Sequence, residues 1–297
     1  MPLGTEGIFP LRRGRELSIG IPASLVSDVP HLREKTFRIG LIGRAAAIFR
    51  VDEIIIFPDI PQANQSRDID LIAIILSYME TPQYLRKHLF KIRPELGYAG
   101  VLPPLRTPHH PLSDRMENLK VGEYREGVVV SSSKGGSFVD IGVEHPIMIP
   151  HAYPTRNTRV TVRISELGTS PIASLRNREE IKLYWGCRVT VSPVPFGQFV
   201  KSRSFDMAIA TSRYGVPISS IMDELAEHWT VSRRRFIVFG APTQGLHQIV
   251  SHEHLKLDDL VHYTVNAIPN QGTQTVRTEE AVYASLALLN QFADSRR

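Results

Sequence analysis

The chain carries one cysteine, Cys187, among 297 residues. A single thiol excludes an intrachain disulfide and any cysteine-rich zinc centre, and it suits a reducing compartment. Long apolar runs are missing as well. The best candidates, residues 54–57 and 69–76, fall far short of the roughly 20 residues that a membrane-spanning helix needs. Residues 1–9 lack the apolar core of a signal peptide. The expectation is a soluble, cytoplasmic protein. There is no G-x-G-x-x-G, no P-loop and no G-x-S-x-G, which excludes the dinucleotide fingerprint, the Walker-type phosphate cradle and the hydrolase elbow. Neither an internal repeat nor a low-complexity tract occurs. Histidines cluster at His109-His110 and at His247, His252, His254 and His262. A zinc site needs convergent ligands closed by a further His, Cys or carboxylate, and Ser251-His-Glu-His254 offers no evident fourth partner. These histidines read as solvated or capping groups, and no metal is expected.

The 35 Lys and Arg exceed the 30 Asp and Glu, for a net charge of +5, which leans towards an anionic partner. Along the chain, residues 17–25 read as a strand, entered from Arg12, Arg13 and Arg15. Pro30 opens a helix to about residue 50, with Leu32, Phe37, Leu41, Ile42, Ala45 and Phe49 on one broad face. The nearly continuous apolar run 51–57, closed by Pro58, has the pattern of a strand covered on both sides. Strand, helix, strand with short links predicts a parallel β-α-β unit. Helices follow at 68–80 and 82–90.

Composition then shifts. Leu102-Pro-Pro-Leu-Arg-Thr-Pro-His-His-Pro111 is too rich in proline for a helix or a central strand, so a boundary falls there. Short segments broken by turn residues follow at 122–131, 137–141, 146–150, 159–165 and 184–192, with Gly135-Gly136 marking a hairpin. This rhythm predicts a small all-β barrel. A strand at 205–211 and a helix at 218–227 then resume the α/β pattern, so the barrel reads as an insertion into a split domain.

Two apolar strands near the C-terminus each end in a Gly/Pro loop. They are Phe236-Ile-Val-Phe-Gly-Ala-Pro-Thr-Gln-Gly-Leu246 and Val265-Asn-Ala-Ile-Pro-Asn-Gln-Gly-Thr273. Paired loops of this kind present backbone N–H and C=O groups without side-chain obstruction, which suits a small polar ligand. Thr278 then stands where a hydroxyl caps a helix, Glu279 and Glu280 suit the positive helix end, and Val282, Leu286, Leu289 and Phe292 share one face.

This pairing resembles the cofactor half of the SPOUT superfamily, the α/β-knot RNA methyltransferases that bind S-adenosylmethionine. Arg38-Ile-Gly-Leu-Ile-Gly-Arg44 and the helix and strand to Phe57 resemble the opening motif of members that methylate ribose. Gly40 and Arg44 fall on its Gly and Arg, and Arg38 stands where that motif has Asn. Thr81-Pro-Gln-Tyr-Leu-Arg86, Leu102-Pro-Pro-Leu105, Pro108-His-His110, Tyr184-Trp-Gly186 and Ile209-Ala-Thr-Ser-Arg-Tyr-Gly215 resemble a narrower archaeal and eukaryotic group. In that group an OB-like domain is inserted in the knot domain.

The resemblance implies an α/β fold with a mostly parallel sheet and flanking helices, knotted as a trefoil and split by a small all-β OB-like barrel. The knot domain would take residues 1–113 and 193–297, and the barrel residues 114–192. It also implies a homodimer, S-adenosylmethionine as cofactor, and RNA as partner and substrate, with nitrogen 3 of a ribosomal uridine the target proposed for some members. Carried onto this chain, the cofactor set is Thr211, Ser212, Gly215, Phe239, Gly240, Ala241, Gly245, Leu246, Ala267, Ile268, Pro269, Gly272, Thr275 and Thr278. Arg44 and Arg277 are the candidate catalytic cations, since a guanidinium stays charged and can hold phosphate or a developing oxyanion. For Arg44 a surface ion pair with Asp52 or Glu53 remains open, and for Arg277 a purely structural place does. Arg38, Lys134, Tyr153, Arg156, Arg159 and Arg163 are the candidate RNA contacts, through phosphate neutralisation and base stacking. Arg233-Arg-Arg235 reads either as an RNA contact or as a solvated turn. A second functional reading stays open, a non-catalytic RNA-binding or assembly factor that keeps the knot as a dimer scaffold. The intact glycine loops favour the enzyme.

Overall fold

The computed structural model describes residues 10–292. In chain order it has β1 (Glu16–Pro22), α1 (Leu32–Ile48), β2 (Glu53–Phe57), α2 (Ser66–Glu80) and α3 (Gln83–Leu89). Short strands follow: β3 (Tyr124–Ser133), β4 (Gly136–Asp140), β5 (Ile147–Pro150), β6 (Arg159–Glu166), β7 (Ile172–Arg176) and β8 (Arg188–Val191). Then come α4 (Phe196–Ser202), β9 (Met207–Pro217), α5 (Met222–Val231) and β10 (Arg234–Val238), and finally α6 (Leu246–Ser251), β11 (Tyr263–Asn266) and α7 (Thr278–Leu289). The chain divides into two compact units, one of residues 10–12, 78–94 and 105–186, the other of 13–77, 95–104 and 187–292.

The larger unit is built on a six-stranded sheet in the order β11-β9-β10-β1-β2-β8, every neighbouring pair parallel. β1 lies at its centre, with Ile19 opposite both Ile237 and Ile54. Strands covered on both faces need apolar side chains in both directions, and all five residues of β2 are accordingly buried. Even Glu53 is buried, and it is held there by Arg203 at 2.6 Å and the Thr190 hydroxyl at 2.7 Å. One face packs an aromatic core in which Phe57 and Phe196 lie 5.0 Å apart and Phe205 stacks on Phe236 at 4.4 Å. α1 turns Ile39, Ile42, Ala45 and Ala46 inward at helical spacing and packs against α7.

In the smaller unit β3-β4-β5-β7-β6 close into a barrel around Val129, Val139, Ile149, Val162 and Ile164. Its hairpin from β3 to β4 requires glycine at 136. There φ is +148°, and a Cβ would lie 2.1 Å from the Ile149 carbonyl oxygen. Beside the barrel strands sits a buried ion cluster. Arg159 donates to Glu80 at 2.5 Å and to Glu126 at 2.5 Å, Arg178 adds 2.8 Å to Glu80, and the Trp185 indole donates 2.5 Å to Glu126. Burial alone would raise the Glu80 pKa. The charge of Arg159, then the hydrogen bond and charge of His109 and the charge of Arg178, outweigh it and hold this carboxyl well below the usual range.

The structure corrects several expectations. Residues 122–131, 137–141, 146–150 and 159–165 do supply β3 to β6, but the segment 184–192 is no barrel strand. Its β8 pairs in parallel with β2 at the sheet edge. The fifth barrel strand is β7, Ile-Ala-Ser-Leu-Arg, a short segment that follows the turn-rich Gly168-Thr-Ser-Pro171. The strand expected at 205–211 begins at Met207 and runs on to Pro217, and the helix expected at 218–227 splits into a short 3-10 turn and α5. Thr278 is the first helical residue of α7, not its cap. Arg235 is neither solvated nor available to RNA. It is 1% exposed, donates to the Trp229 carbonyl at 2.8 Å and lies over that indole ring.

Candidate active site

In open parallel sheets ligands collect in the crevice outside the C-terminal strand ends. Residues 211–214 within β9, and the segments 239–245 and 267–277 that follow the C-terminal ends of β10 and β11, enclose a cleft of about 410 Å3. That lies within the range of small-molecule and cofactor sites. Its walls are tied by backbone groups. The Thr278 hydroxyl donates to the Gly240 carbonyl at 2.9 Å, so the start of α7 is fastened to the loop after β10. Asn266 donates to the Arg213 carbonyl at 2.9 Å and accepts from the Ile268 N–H at 2.9 Å, joining the loop after β11 to β9. Inside the loop after β10, Ala241 N–H donates to the Gln244 carbonyl at 2.8 Å.

The donor set suits a bound polar ligand. Two buried side-chain oxygens in the cleft wall, Gln244 Oε1 and Ser285 Oγ, have no hydrogen-bond partner among the described residues. Ser285 is fully buried on the floor of α7. Buried polar atoms are nearly always paired, so these two are exceptions in the wall of the cleft. Gly245 has nothing within 4 Å of where a Cβ would stand, so its missing side chain leaves open space. Gly240 is different: a Cβ there would press at 3.1 Å on the Gln244 carbonyl oxygen, tightening the loop itself.

Of the residues expected from sequence, Thr211, Ser212, Gly240, Ala241, Gly245, Ala267, Ile268, Thr275 and Thr278 line this cleft. Phe239 and Leu246 do not, because both are fully buried beneath it. Pro269 and Gly272 are exposed positions of the following loop and lie outside the lining. Gly215 is also outside the lining. A Cβ there would meet the backbone carbon of Val265 at 2.5 Å, so this glycine serves the close approach of β9 and β11. Neither proposed catalytic cation lines the cleft. Arg44 donates to the Pro104 carbonyl at 2.8 Å, while Arg277 caps α7 with its N–H on Glu280 at 2.9 Å. Arg38 pairs with Asp28 at 2.8 Å and approaches the buried Glu279 at 3.6 Å. Burial raises the Glu279 pKa, and Arg38 offsets this in part.

The sequence reading missed Arg213, Tyr214 and a set of amides, Gln244, Gln248, Asn266, Gln271 and Gln274, all in the lining. Their common signal was the density of Asn and Gln in the two C-terminal loops. On the barrel, Lys134, Tyr153, Arg156 and Arg163 are exposed, and the Tyr153 hydroxyl donates to the Lys134 carbonyl at 2.9 Å. Arg163 lies over the Tyr124 ring. Arg159 is the exception, committed to the buried ion cluster. Among the described residues no group of His, Cys, Asp and Glu could hold a metal ion, and no helix is long and apolar enough to cross a membrane.

The family model described as "Putative RNA methyltransferase" matches residues 16–289, a span holding every cleft residue and the whole barrel. The chain belongs to this family. A 28S rRNA (uridine-N(3))-methyltransferase of Drosophila melanogaster is 31% identical over 93% of this chain and 62% of that protein. The chain thus spans less than two thirds of the fly relative. The mouse protein of the same name is 32% identical over 92% of this chain and 75% of its own length. An uncharacterised protein of Halobacterium salinarum is 32% identical over 92% of this chain and 98% of its own. Membership of this family implies a methyl donor.

Proposed function

We propose that the protein transfers a methyl group from S-adenosylmethionine to nitrogen 3 of a uridine in large-subunit ribosomal RNA. The observation that carries this reading is the cleft between β9 and the loops after β10 and β11, whose backbone-rich walls leave Ser285 and Gln244 oxygens unpaired. The relatives named for that reaction supply the target. When bound, the cofactor supplies an electrophilic methyl on a sulfonium. The loops 239–245 and 267–277 hold and orient it through backbone groups, with Thr211 and Ser212 bordering its methionine part. Holding donor and acceptor in line then accounts for much of the acceleration.

The finer reading of the fold is a trefoil-knotted SPOUT domain with an OB-like insertion. What supports a knotted crossing is the return of the chain from β11 to bring α7 against the loop after β10, at the Thr278–Gly240 bond. What supports the OB-like reading is a five-stranded closed barrel with exposed Lys134, Tyr153, Arg156 and Arg163. The exposed Phe37 and Ile48 of α1 favour a homodimer through this helix, with Arg44 on the same helix and Arg277 at the start of α7 reaching substrate phosphate.

The test is incubation of purified protein with S-adenosylmethionine and unmodified large-subunit rRNA transcript, followed by nucleoside mass spectrometry, beside calorimetry with S-adenosylhomocysteine. One 3-methyluridine per transcript is expected. Methylation of ribose or of another base, or no heat with millimolar ligand, overturns the reading.

A further inference from the structure

Among the described residues that line the cleft, Arg213 is the one charged side chain and Tyr214 the one aromatic. No carboxylate, histidine or lysine lines it beside them. The two are built as a unit. The Arg213 guanidinium lies 4.6 Å from the Tyr214 ring centroid and donates through Nη2 to the Tyr214 hydroxyl. It also donates through Nη1 to the Gln274 carbonyl at 3.2 Å. The Arg213 carbonyl is itself held by Asn266 at 2.9 Å, and Tyr214 N–H is held by the Ser212 hydroxyl at 3.2 Å. This fixes the guanidinium without a counter-charge: no carboxylate among the described residues pairs with it. Of the five N–H donors of a guanidinium, the two bonds named leave three unpartnered among those residues. Tyr214 is 78% exposed.

Resting on the proposed uridine N3 reaction, we infer that Arg213 and Tyr214 form the lip that receives the target base, Tyr214 stacking on the uracil ring and Arg213 donating to one of its carbonyl oxygens. An exposed ring at the mouth of a cleft matches a planar base that has left its stack. The chemistry supplies the need for Arg213. N3 of uridine bears a proton and has no free lone pair until that proton is lost to water or hydroxide. The negative charge then spreads onto the two neighbouring carbonyl oxygens, where a fixed guanidinium stabilises it. The N3 lone pair next forms the N–C bond to the methyl carbon as the C–S bond breaks, and the bonding pair stays on sulfur as a neutral thioether. With no acidic or basic side chain beside Arg213 in the lining, its role is to lower the acidity barrier at N3 and not to carry the proton.

The test uses the full chain, large-subunit rRNA transcript as substrate and S-adenosylhomocysteine as the cofactor probe. Arg213→Gln should lower kcat at neutral pH about a hundredfold, the usual loss for one oxyanion donor. Its rate should recover as pH rises, because hydroxide can ionise N3 without help, so the alkaline limb of its kcat profile shifts to higher pH than in wild type. Tyr214→Ala should raise KM for RNA, and the Kd of the S-adenosylhomocysteine complex for the same RNA, about tenfold with little change in the pH profile. Tyr214→Phe keeps the ring but removes the hydroxyl that accepts from Arg213, so KM for RNA should stay near wild type while kcat falls less than in Arg213→Gln. In all three, calorimetric affinity for S-adenosylhomocysteine should be unchanged.

A Arg213→Gln variant whose kcat falls equally at every pH, or whose S-adenosylhomocysteine affinity collapses, refutes the inference. In the second case Arg213 clamps the donor's carboxylate. Wild-type rates in Arg213→Gln refute it too. If the wild type forms no 3-methyluridine at all, the reading on which the inference rests has failed, and that outcome is distinct from a variant-specific failure.

Discussion

Arg159 is where a surface reading of the barrel and its tertiary structure part company, and its removal gives a quantitative test. Its guanidinium is 2.5 Å from Glu80 and 2.5 Å from Glu126, whose side chains are 8% and 3% exposed. Arg159→Gln leaves both carboxylates in place with less compensation. Breaking a buried ion pair from one side typically costs about 3–5 kcal/mol. Two features reduce that figure. The Arg159 side chain is 21% exposed, and Glu80 keeps Arg178 at 2.8 Å while Glu126 keeps the Trp185 indole at 2.5 Å. A loss of about 3 kcal/mol is the expectation, which lowers a urea midpoint by on the order of 1–2 M. Because Trp185 touches the cluster, its emission reports on this unit. Unfolding in a Trp229→Phe background, shared by variant and control, isolates that signal. Arg156→Gln is the control: it is exposed, so its stability should change by less than about 0.5 kcal/mol while RNA affinity in a filter assay falls. An Arg159→Gln midpoint equal to wild type, combined with an RNA loss like that of Arg156→Gln, refutes the argument and returns Arg159 to the RNA surface.

Three further outcomes follow from the same geometry. Gly245→Val puts a branched side chain into open cleft space and should weaken S-adenosylhomocysteine at least tenfold by calorimetry, with the thermal midpoint nearly unchanged; undiminished affinity would move the ligand elsewhere. Gly215→Ala should do the reverse, since its Cβ meets the backbone of Val265 at 2.5 Å, destabilising by about 1–3 kcal/mol while the folded fraction binds ligand normally. Burial first, and then the His109 charge, push the His110 pKa down to about 3. The unfolded chain, with a histidine pKa near 6.5, binds more protons over that window. Stability is therefore fully present above pH of about 6.5 and falls by up to about 1.4 kcal/mol per pH unit down to about pH 3. Urea midpoints at several pH values should show this slope and Asn at position 110 should flatten it; an equal slope in both assigns the loss to other groups.

Much of the architecture was legible in local sequence. The apolar runs of β1, β2 and β10 need cover on both faces, and that need appears in the residues themselves, so the parallel α/β pattern could be read directly. The Gly/Pro loops after β10 and β11 announced the cleft for a similar reason, since their lack of side-chain bulk is a local property. The turn rhythm of β3 to β6 was equally visible. Tertiary structure alone decided the rest, because it turns on partners distant in the chain. β8 is a short Arg-Val-Thr-Val strand that local pattern fits to barrel or sheet alike, and only the open edge of β2 selects it. Arg156 and Arg159 are three residues apart and chemically identical, yet one is exposed and the other meets Glu80, a residue 79 positions away. Gly215 sits in a motif-like run beside Arg213 and Tyr214, and only the crossing of β11 makes it a packing residue and them the lip of a cleft. Periodicity reports what a side chain needs, whereas charge partners, close backbone approaches and strand edges depend on which distant segment arrives.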